Sequence, residues 1–173
     1  MDIRHEALLM LDKRGAILDT AREVSRVLKA NKVRGAIIGG VAVVLHGHLR
    51  TTKDVDVYVA DAEAAYAALN GAGFRWDAKA REFDRGGVPV QFVTDDVIDP
   101  IPTRMTSIEE ISTVNLGDLI SIKLSSGLDN VLRSQDIADV IGLIKHHRLT
   151  GAFAPKIDKR FRADFKKLLR ALR

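Results

Sequence analysis

The sequence predicts an α/β (α+β) fold, in which a mixed β-sheet core is flanked by helices and followed by a C-terminal helical region. Between residues 33 and 94, short runs rich in valine and isoleucine alternate with helical patterns and end in a hairpin pattern. That order builds a sheet with helices packed against it. Pro100 and Pro102 interrupt the patterns, and the segments beyond them are helical. We therefore expect a core over residues 1–106 and a helical region over residues 107–173.

Two helices are predicted before the first strand. Residues 5–31 carry apolar side chains at helical spacing and are interrupted near Gly15. The first helix would pack through Ala7, Leu8 and Leu11. The second would bury a longer apolar face, made of Ile17, Leu18, Ala21, Val24, Val27 and Leu28. We expect both helices to serve packing.

The stretch from residue 33 to residue 48 predicts a strand, a tight turn and a helix. Val33–Ile38 is a short β-branched run stopped by glycine, which favours a buried strand. Gly39 and Gly40 then turn the chain into a helical segment. The first N–H groups of a helix have no partner within it, so they attract anions. The glycine pair therefore predicts an anion site.

The next segment predicts a metal site. Asp54 and Asp56 alternate with valines, so a strand would place both carboxylates on one face. Two adjacent carboxylates repel each other unless a cation lies between them. Mg²⁺ prefers hard oxygen ligands and commonly shares them with phosphate and water. We expect Asp54 and Asp56 to bind Mg²⁺, or Mn²⁺ in its place.

The remaining elements are predicted from turn and cap residues. Asp61 can cap a helix over residues 62–69. Residues 74–83 alternate loosely and predict a strand, which would turn at Gly86 into a second strand, residues 88–94. Ser107 with Glu110 fits a helix capping box. A helix through residues 119–124 would end at Gly127. The next helix, Asn130–His147, would bury one apolar face, made of Val131, Leu132, Ile137, Val140, Ile141 and Ile144.

Positive charge is concentrated at the end of the chain. Residues 145–173 carry a net charge of +8, whereas residues 1–144 carry −4. Such a segment can bind nucleic acid through its phosphates. It can equally be the solvated face of an amphipathic helix. The second interpretation is favoured by apolar residues at helical spacing: Ile157, Phe161, Phe165, Leu168, Leu169 and Leu172.

Two motifs resemble a known superfamily. Gly39 and Gly40, followed after thirteen residues by Asp54-Val55-Asp56-Val57, resemble the signature of the polymerase-beta-like nucleotidyltransferases. The resemblance extends to Arg50 and Thr52 before the aspartates, and to a helical lysine with a downstream QDxxD segment. That combination is similar to the minimal nucleotidyltransferases that include abortive-infection-type toxins.

The resemblance implies a nucleotidyltransferase-like sheet and the Mg²⁺-dependent transfer of a nucleoside monophosphate from a nucleoside triphosphate. It implies catalytic roles for Asp54, Asp56 and Lys123. It also implies that Lys123 neutralises triphosphate charge, that Asp136 holds this lysine and that Asp139 is structural. From the residues alone, Lys123 could instead form an ordinary interhelical ion pair. The implied nucleotide-binding residues are Gly39, Gly40, Arg50, Thr52, Lys123 and Asp136.

One position departs from the superfamily pattern. A later strand usually supplies a third carboxylate, and Gln91 occupies that place here. An amide cannot act as a general base. Asp84, Asp95 and Asp96 lie nearby and are alternative sources of the carboxylate. A catalytically weak or inactive nucleotide-binding module of the same fold therefore stays an alternative.

The acceptor and the partners stay open in the sequence. A tRNA end, a protein hydroxyl or a small molecule could accept the nucleotide, and the protein could be a toxin neutralised by an antitoxin-like protein. The chain has no cysteine, which excludes disulfides and thiolate catalysis. No apolar run approaches the roughly 20 residues of a membrane span, so no membrane partner is expected. The first residues are unlike a signal peptide, and we expect a cytoplasmic location.

Overall fold

The computed structural model describes residues 5–6, 9 and 15–172. The predicted packing of Ala7, Leu8 and Leu11 lies outside the described residues. The second predicted helix is confirmed as α1 (Ala16–Ala30), and its predicted apolar face is buried throughout.

Among the described residues, seven strands form one mixed sheet. The strands are β1 (Gly35–Ile37), β2 (Val55–Val59), β3 (Arg75–Asp77), β4 (Glu82–Arg85), β5 (Val88–Val93), β6 (Met105–Ile108) and β7 (Ile111–Val114). Their order is β3-β4-β5-β2-β1-β7-β6. Strand β2 lies between antiparallel β1 and parallel β5, and β1 also pairs in parallel with β7. The predicted fold class is confirmed.

Alternation along β2 separates a buried apolar face from a polar face. Val55, Val57 and Val59 pack into a core with α1 and α3 (Ala62–Gly71). Asp56 and Tyr58 point to the opposite face, as expected from the period of two in a strand. On that face Tyr58 joins a second core with α2 (Gly39–Leu45), α4 (Leu116–Asp129) and α5 (Ser134–His147). The face of β2 that carries Asp56 therefore lies toward the C-terminal helices.

Two turns differ from the predicted pattern. The capping box at Ser107 and Glu110 is wrong, because Ser107 lies in β6 and pairs with Ser112 of β7. Glu109 and Glu110 both have positive φ and form the two-residue turn of this hairpin. Residues 74–83 form β3, a turn and β4 rather than one strand. The hairpin at Gly86 is confirmed by the antiparallel pairing of β4 with β5.

The helices after β7 also differ from the prediction in two places. Gly127 does not end a helix: it lies inside α4, where Ile137 of α5 packs so closely that a Cβ atom would not fit without a shift. The predicted burial of Val131 and Leu132 is wrong, since these residues form an exposed 3₁₀ turn, Val131–Arg133, before α5. Val140 and Ile144 are buried as expected. The division of the chain at residue 106 stays a prediction.

The last segment packs on the second core through the apolar residues that the sequence predicts, two of them buried and the other four partly buried. Two 3₁₀ turns (Gly151–Lys156 and Lys159–Phe161) precede α6 (Arg162–Ala171). Ile157 and Phe165 are buried in the second core, whereas most of the basic side chains of α6 face outward. Within the described part of the chain, no helix combines the length and the apolar character needed to cross a membrane.

Candidate functional site

The centre of the site is the contact between Gly39 and Asp56. The Ile38 N–H donates to the Asp56 carbonyl at 2.9 Å, which holds the start of α2 against β2. Gly39 has a φ of 63°, and a Cβ atom there would collide with the Asp56 carboxylate. Glycine is therefore required for both the backbone conformation and the close approach. Among the residues that the structure describes, no side chain caps α2, so its first N–H groups have no side-chain acceptor there.

The second glycine supports the loop that carries Asp54. A Cβ atom at Gly40 would lie 2.7 Å from Oγ1 of Thr52, so the loop packs directly on the α2 backbone. The Thr52 hydroxyl donates to Oδ1 of Asp54 at 2.9 Å. Arg50 Nη1 also lies close to Gly40 and donates to Asp139 of α5 at 3.0 Å. The glycine pair thus positions both aspartates.

The charges of the two carboxylates are only partly offset by nearby cations. Burial, and then the charge of Asp54, raise the pKa of Asp56 to about 6, even though Lys123, Arg133 and Arg50 oppose this shift. A bound divalent cation would stabilise the charged form of both groups. Within the described residues, no group of three or more potential metal-binding side chains comes together. Asp54 and Asp56 are carboxylates that could hold a divalent ion such as Mg²⁺, whose shell phosphate and water oxygens can complete.

A buried ion network faces this pair from α4 and α5. Lys123 Nζ lies 2.5 Å from Asp136 Oδ1 and 2.9 Å from Asp139 Oδ2. Asp139 is completely buried and also accepts from Arg50 and Gln135, each at 3.0 Å. Lys123 thus makes the interhelical ion pair, which is one of the two roles predicted for it from the sequence. Asp139 also links the Arg50 loop to Lys123.

Arg133 is a cation that the sequence motifs did not identify. Its Nε donates to Asp136 Oδ2 at 2.9 Å, while 60% of its side chain is exposed. Burial raises the pKa of Asp136, but hydrogen bonds from Lys123 and Ser126 outweigh burial and hold this pKa below its usual value. Asp136 therefore stays charged between two cations. The position of Arg133, three residues before Asp136 at a helix start, was the available signal.

A cavity of about 370 Å³ joins these groups. It lies between one face of the strands β2 and β5 and the helices α4 and α5. Its lining includes Gly39, Asp56, Gln91, Lys123, Arg133 and Asp136. Four of the predicted site residues do not line the cavity: Gly40, Arg50, Thr52 and Asp54. A larger cleft of about 680 Å³ between α1 and the β6–β7 hairpin contains none of the predicted site residues.

Gln91 lies directly beside Asp56. The parallel register of β2 and β5 pairs the two residues, and the Gln91 amide donates to Glu82 at 2.9 Å. The three alternative carboxylates do not line the cavity. They accept hydrogen bonds elsewhere: Asp84 from Arg75, Asp95 from Tyr58 and Asp96 from Thr94. Glu82 was missed, although counting back along the hairpin from Gly86 would have placed it opposite Gln91.

The histidines lie outside this arrangement. His46 is buried at the end of α2, where its Nε2 lies 2.8 Å from the Val114 carbonyl, and burial lowers its pKa. The His147 ring makes a hydrogen bond with the His46 carbonyl at 2.7 Å. These contacts join α2, β7 and α5 structurally.

Comparison with known proteins identifies a family and a similar fold. A family model described as a nucleotidyltransferase of unknown function (DUF6036) matches residues 15–151. The fold is similar to an antigenic nucleotidyltransferase-like protein from Paracoccidioides brasiliensis, with a TM-score of 0.55, 17% identity and coverage of 73% of this chain and 74% of that chain. It is also similar to a candidate nucleotidyltransferase from Thermotoga maritima, with a TM-score of 0.51, 19% identity and coverage of 73% and 95%. Among curated proteins, none matches significantly.

Proposed function

Because the chain belongs to this nucleotidyltransferase family of unknown function, we propose that it transfers a nucleoside monophosphate from a nucleoside triphosphate to an acceptor hydroxyl. The observation that supports the proposal most directly is the close pair of Asp54 and Asp56, whose charges nearby cations offset only in part. Burial and the neighbouring Asp54 disfavour the charged form of Asp56, and a cation shared by both carboxylates would favour it. The adjacent cavity also contains the cations that a triphosphate requires.

Asp54 and Asp56 would hold the divalent ion, Mg²⁺ or Mn²⁺. When bound, such an ion neutralises developing phosphate charge and polarises the phosphoryl oxygens. The Thr52 hydroxyl fixes the orientation of Asp54, and the Gly39 backbone fixes that of Asp56. This preorganisation matters because catalysis of phosphoryl transfer depends mainly on positioning and charge stabilisation.

The triphosphate would be bound from both sides of the cavity. The uncapped N–H groups at Gly39 and Gly40 are the proposed donors to the β- and γ-phosphates. Lys123 and Arg133 would supply positive charge from the helical side, with Asp136 holding both in place. Arg50 would act through Asp139 and the loop geometry rather than by reaching the nucleotide. In the transfer step, the acceptor oxygen bonds to the α-phosphorus while the bond to the departing pyrophosphate breaks.

A second candidate function is nucleotide binding without efficient transfer. It is favoured by Gln91, which lies beside Asp56 and cannot accept a proton as a carboxylate does. A binding module would retain the metal pair and the cations while lacking turnover. Both candidate functions therefore predict Mg²⁺-dependent nucleotide binding, but only the first predicts efficient transfer to an acceptor.

Two measurements test the proposal. Calorimetric titration of each nucleoside triphosphate, with and without Mg²⁺, should detect binding that requires the metal. Incubation with α-labelled triphosphates should then place label in protein, tRNA or a small-molecule acceptor. Metal-dependent binding without label transfer would support the binding module, and the absence of any triphosphate binding would contradict both functions.

A further inference from the structure

Three neighbouring strands carry one row of polar side chains that starts at the cavity: Asp56 and Gln91 line the cavity, and Glu82 is the next residue in the row without lining it. Asp56 of β2 is paired with Gln91 of β5, and the register of β4 with β5, which pairs Phe83 with Val90, continues to Glu82 opposite Gln91. Residues paired across strands point to the same face of a sheet. Since strands are about 4.8 Å apart, the backbone of Glu82 lies about 10 Å from that of Asp56. The row therefore runs Asp56, Gln91, Glu82.

The hydrogen bonds decide which carboxylate of β4 is directed toward the site. Glu82 and Asp84 are two residues apart and lie on the same face of β4. The Asp84 carboxylate is bonded at 3.0 Å to Arg75 of β3, on the side away from β2. The Glu82 carboxylate is bonded at 2.9 Å to Gln91 of β5, on the side toward β2. Glu82 is also one methylene longer than aspartate, which extends its reach across Gln91.

We propose that Glu82 is the general base of the transfer reaction and takes the place of a carboxylate at position 91. This inference rests on the proposed function. The acceptor hydroxyl would lie over Gln91, between the α-phosphate held near Asp56 and the Glu82 carboxylate. Its oxygen bonds to the α-phosphorus, the bond between the α-phosphorus and the bridging oxygen breaks, and pyrophosphate leaves. The hydroxyl proton passes to Glu82, which completes the balance.

Hydrolysis provides a test that needs no knowledge of the acceptor. Water replaces the acceptor hydroxyl, and each α-labelled nucleoside triphosphate with Mg²⁺ is converted to the monophosphate and pyrophosphate. In the Glu82→Gln variant we expect the rate to fall about 10²- to 10⁴-fold, the usual contribution of a general base. Calorimetric affinity for the triphosphate with Mg²⁺ should change less than about twofold, because Glu82 is assigned no contact with the nucleotide.

Two further variants distinguish a general-base role of Glu82 from a positioning role. Asp84→Asn removes a carboxylate from the same strand and face, and we expect the natural rate. Gln91→Ala removes the hydrogen bond and retains the Glu82 carboxylate, so we expect a much smaller loss than in Glu82→Gln. Equal loss in Gln91→Ala and Glu82→Gln would overturn the proposal, since Glu82 would then act by positioning Gln91.

The remaining outcomes are also decisive. A natural rate in Glu82→Gln would overturn the role of Glu82 and leave the proposed function standing. A natural protein that binds the triphosphate with Mg²⁺ but forms no monophosphate would overturn the base and favour the binding module. Loss of triphosphate binding in Glu82→Gln, with an unchanged melting temperature, would overturn the assignment because the residue would belong to the nucleotide site.

Discussion

Asp54 and Asp56 differ in their surroundings, although both belong to one short motif. Asp54 is held by the Thr52 hydroxyl, whereas Asp56 is pressed against the Gly39 backbone and has its pKa raised to about 6. Their mutual repulsion is relieved when either charge is removed. This difference allows a metal-binding role to be separated from a structural one by substitution.

The first prediction concerns Asp54. Asp54→Asn should abolish Mg²⁺-dependent triphosphate binding, while the free energy of unfolding stays unchanged or rises by about 1 kcal/mol as repulsion is relieved. Calorimetry and urea denaturation measure the two effects. Asp61→Ala is the contrasting control, because Asp61 caps α3 by accepting from Ala64, and its loss should cost about 1 kcal/mol with binding intact. Metal-dependent binding in Asp54→Asn would contradict the prediction.

The second prediction follows from the pKa of Asp56. The folded protein holds this proton to about pH 6, whereas an unfolded aspartate has its ordinary pKa of 3.8. Between these values the folded state binds more protons, so its stability falls as pH rises, by roughly 3 kcal/mol in total for this group. Triphosphate binding with Mg²⁺ should weaken below about pH 6, since the metal competes with the proton.

Comparison with Asp56→Asn isolates this contribution. Asparagine at position 56 does not titrate. The free energy of unfolding of the variant, measured by urea denaturation, should therefore lack the decrease between about pH 4 and pH 7 that we expect for the natural protein. If both proteins have the same pH dependence, the raised pKa of Asp56 is contradicted.

At the scale of the elements, local patterns identified some structures and long-range contacts decided others. The alternation in β2 and the glycine turn before α2 are contained in neighbouring residues, so the sequence predicts them. The β6–β7 hairpin was missed because its turn uses Glu109 and Glu110 at positive φ, where glycine or asparagine is usual. Gly127 serves helix packing, which depends on a partner helix that the local sequence does not specify.

In the candidate site too, some features follow from neighbouring residues and others depend on long-range contacts. The proximity of Asp54 and Asp56 could be predicted because only Val55 separates them, with Asp56 in β2 and Asp54 immediately before it. Arg50 and Asp139 are 89 residues apart, and their contact exists only when α5 packs against the loop before β2. Glu82 requires the register of three strands, and Arg133 requires the exposed turn between α4 and α5.

The third prediction concerns that exposed turn. It places Arg133 at the cavity with only its Nε bonded to Asp136, so other N–H groups of the guanidinium can bind a triphosphate. Arg133→Gln should weaken triphosphate binding about tenfold, which corresponds to one charge-assisted hydrogen bond of roughly 1.5 kcal/mol. Stability should change by less than about 1 kcal/mol, because the side chain is largely exposed.

Arg75→Gln is the matched control for this measurement. Arg75 is also an exposed arginine paired with an aspartate, Asp84, but it lies on β3 and does not line the cavity. Calorimetry should find the natural affinity in this variant. An unchanged affinity in Arg133→Gln as well would exclude Arg133 from the nucleotide site.

At the scale of the whole molecule, the site lies where the sheet meets the C-terminal helices. Asp56 of β2 and Asp54 just before it supply the acidic pair, whereas Lys123 of α4 and Arg133 of the turn before α5 supply the cations. Asp139 joins the two sides, because it accepts from Arg50 before β2 and from Lys123 of α4. The geometry of the cavity therefore depends on one completely buried carboxylate.

The last prediction tests this dependence. Asp139→Asn would leave Lys123 and Arg50 without the charge that faces both of them, and breaking a buried ion pair in this way costs about 3–5 kcal/mol. Urea denaturation should detect that loss. Gln135→Ala removes a neutral hydrogen-bond partner of the same carboxylate, so it should cost only about 1 kcal/mol. A loss in Asp139→Asn no larger than that of Gln135→Ala would mean that each cation is satisfied by its other contacts, and the two sides of the cavity would then be held together by apolar packing alone.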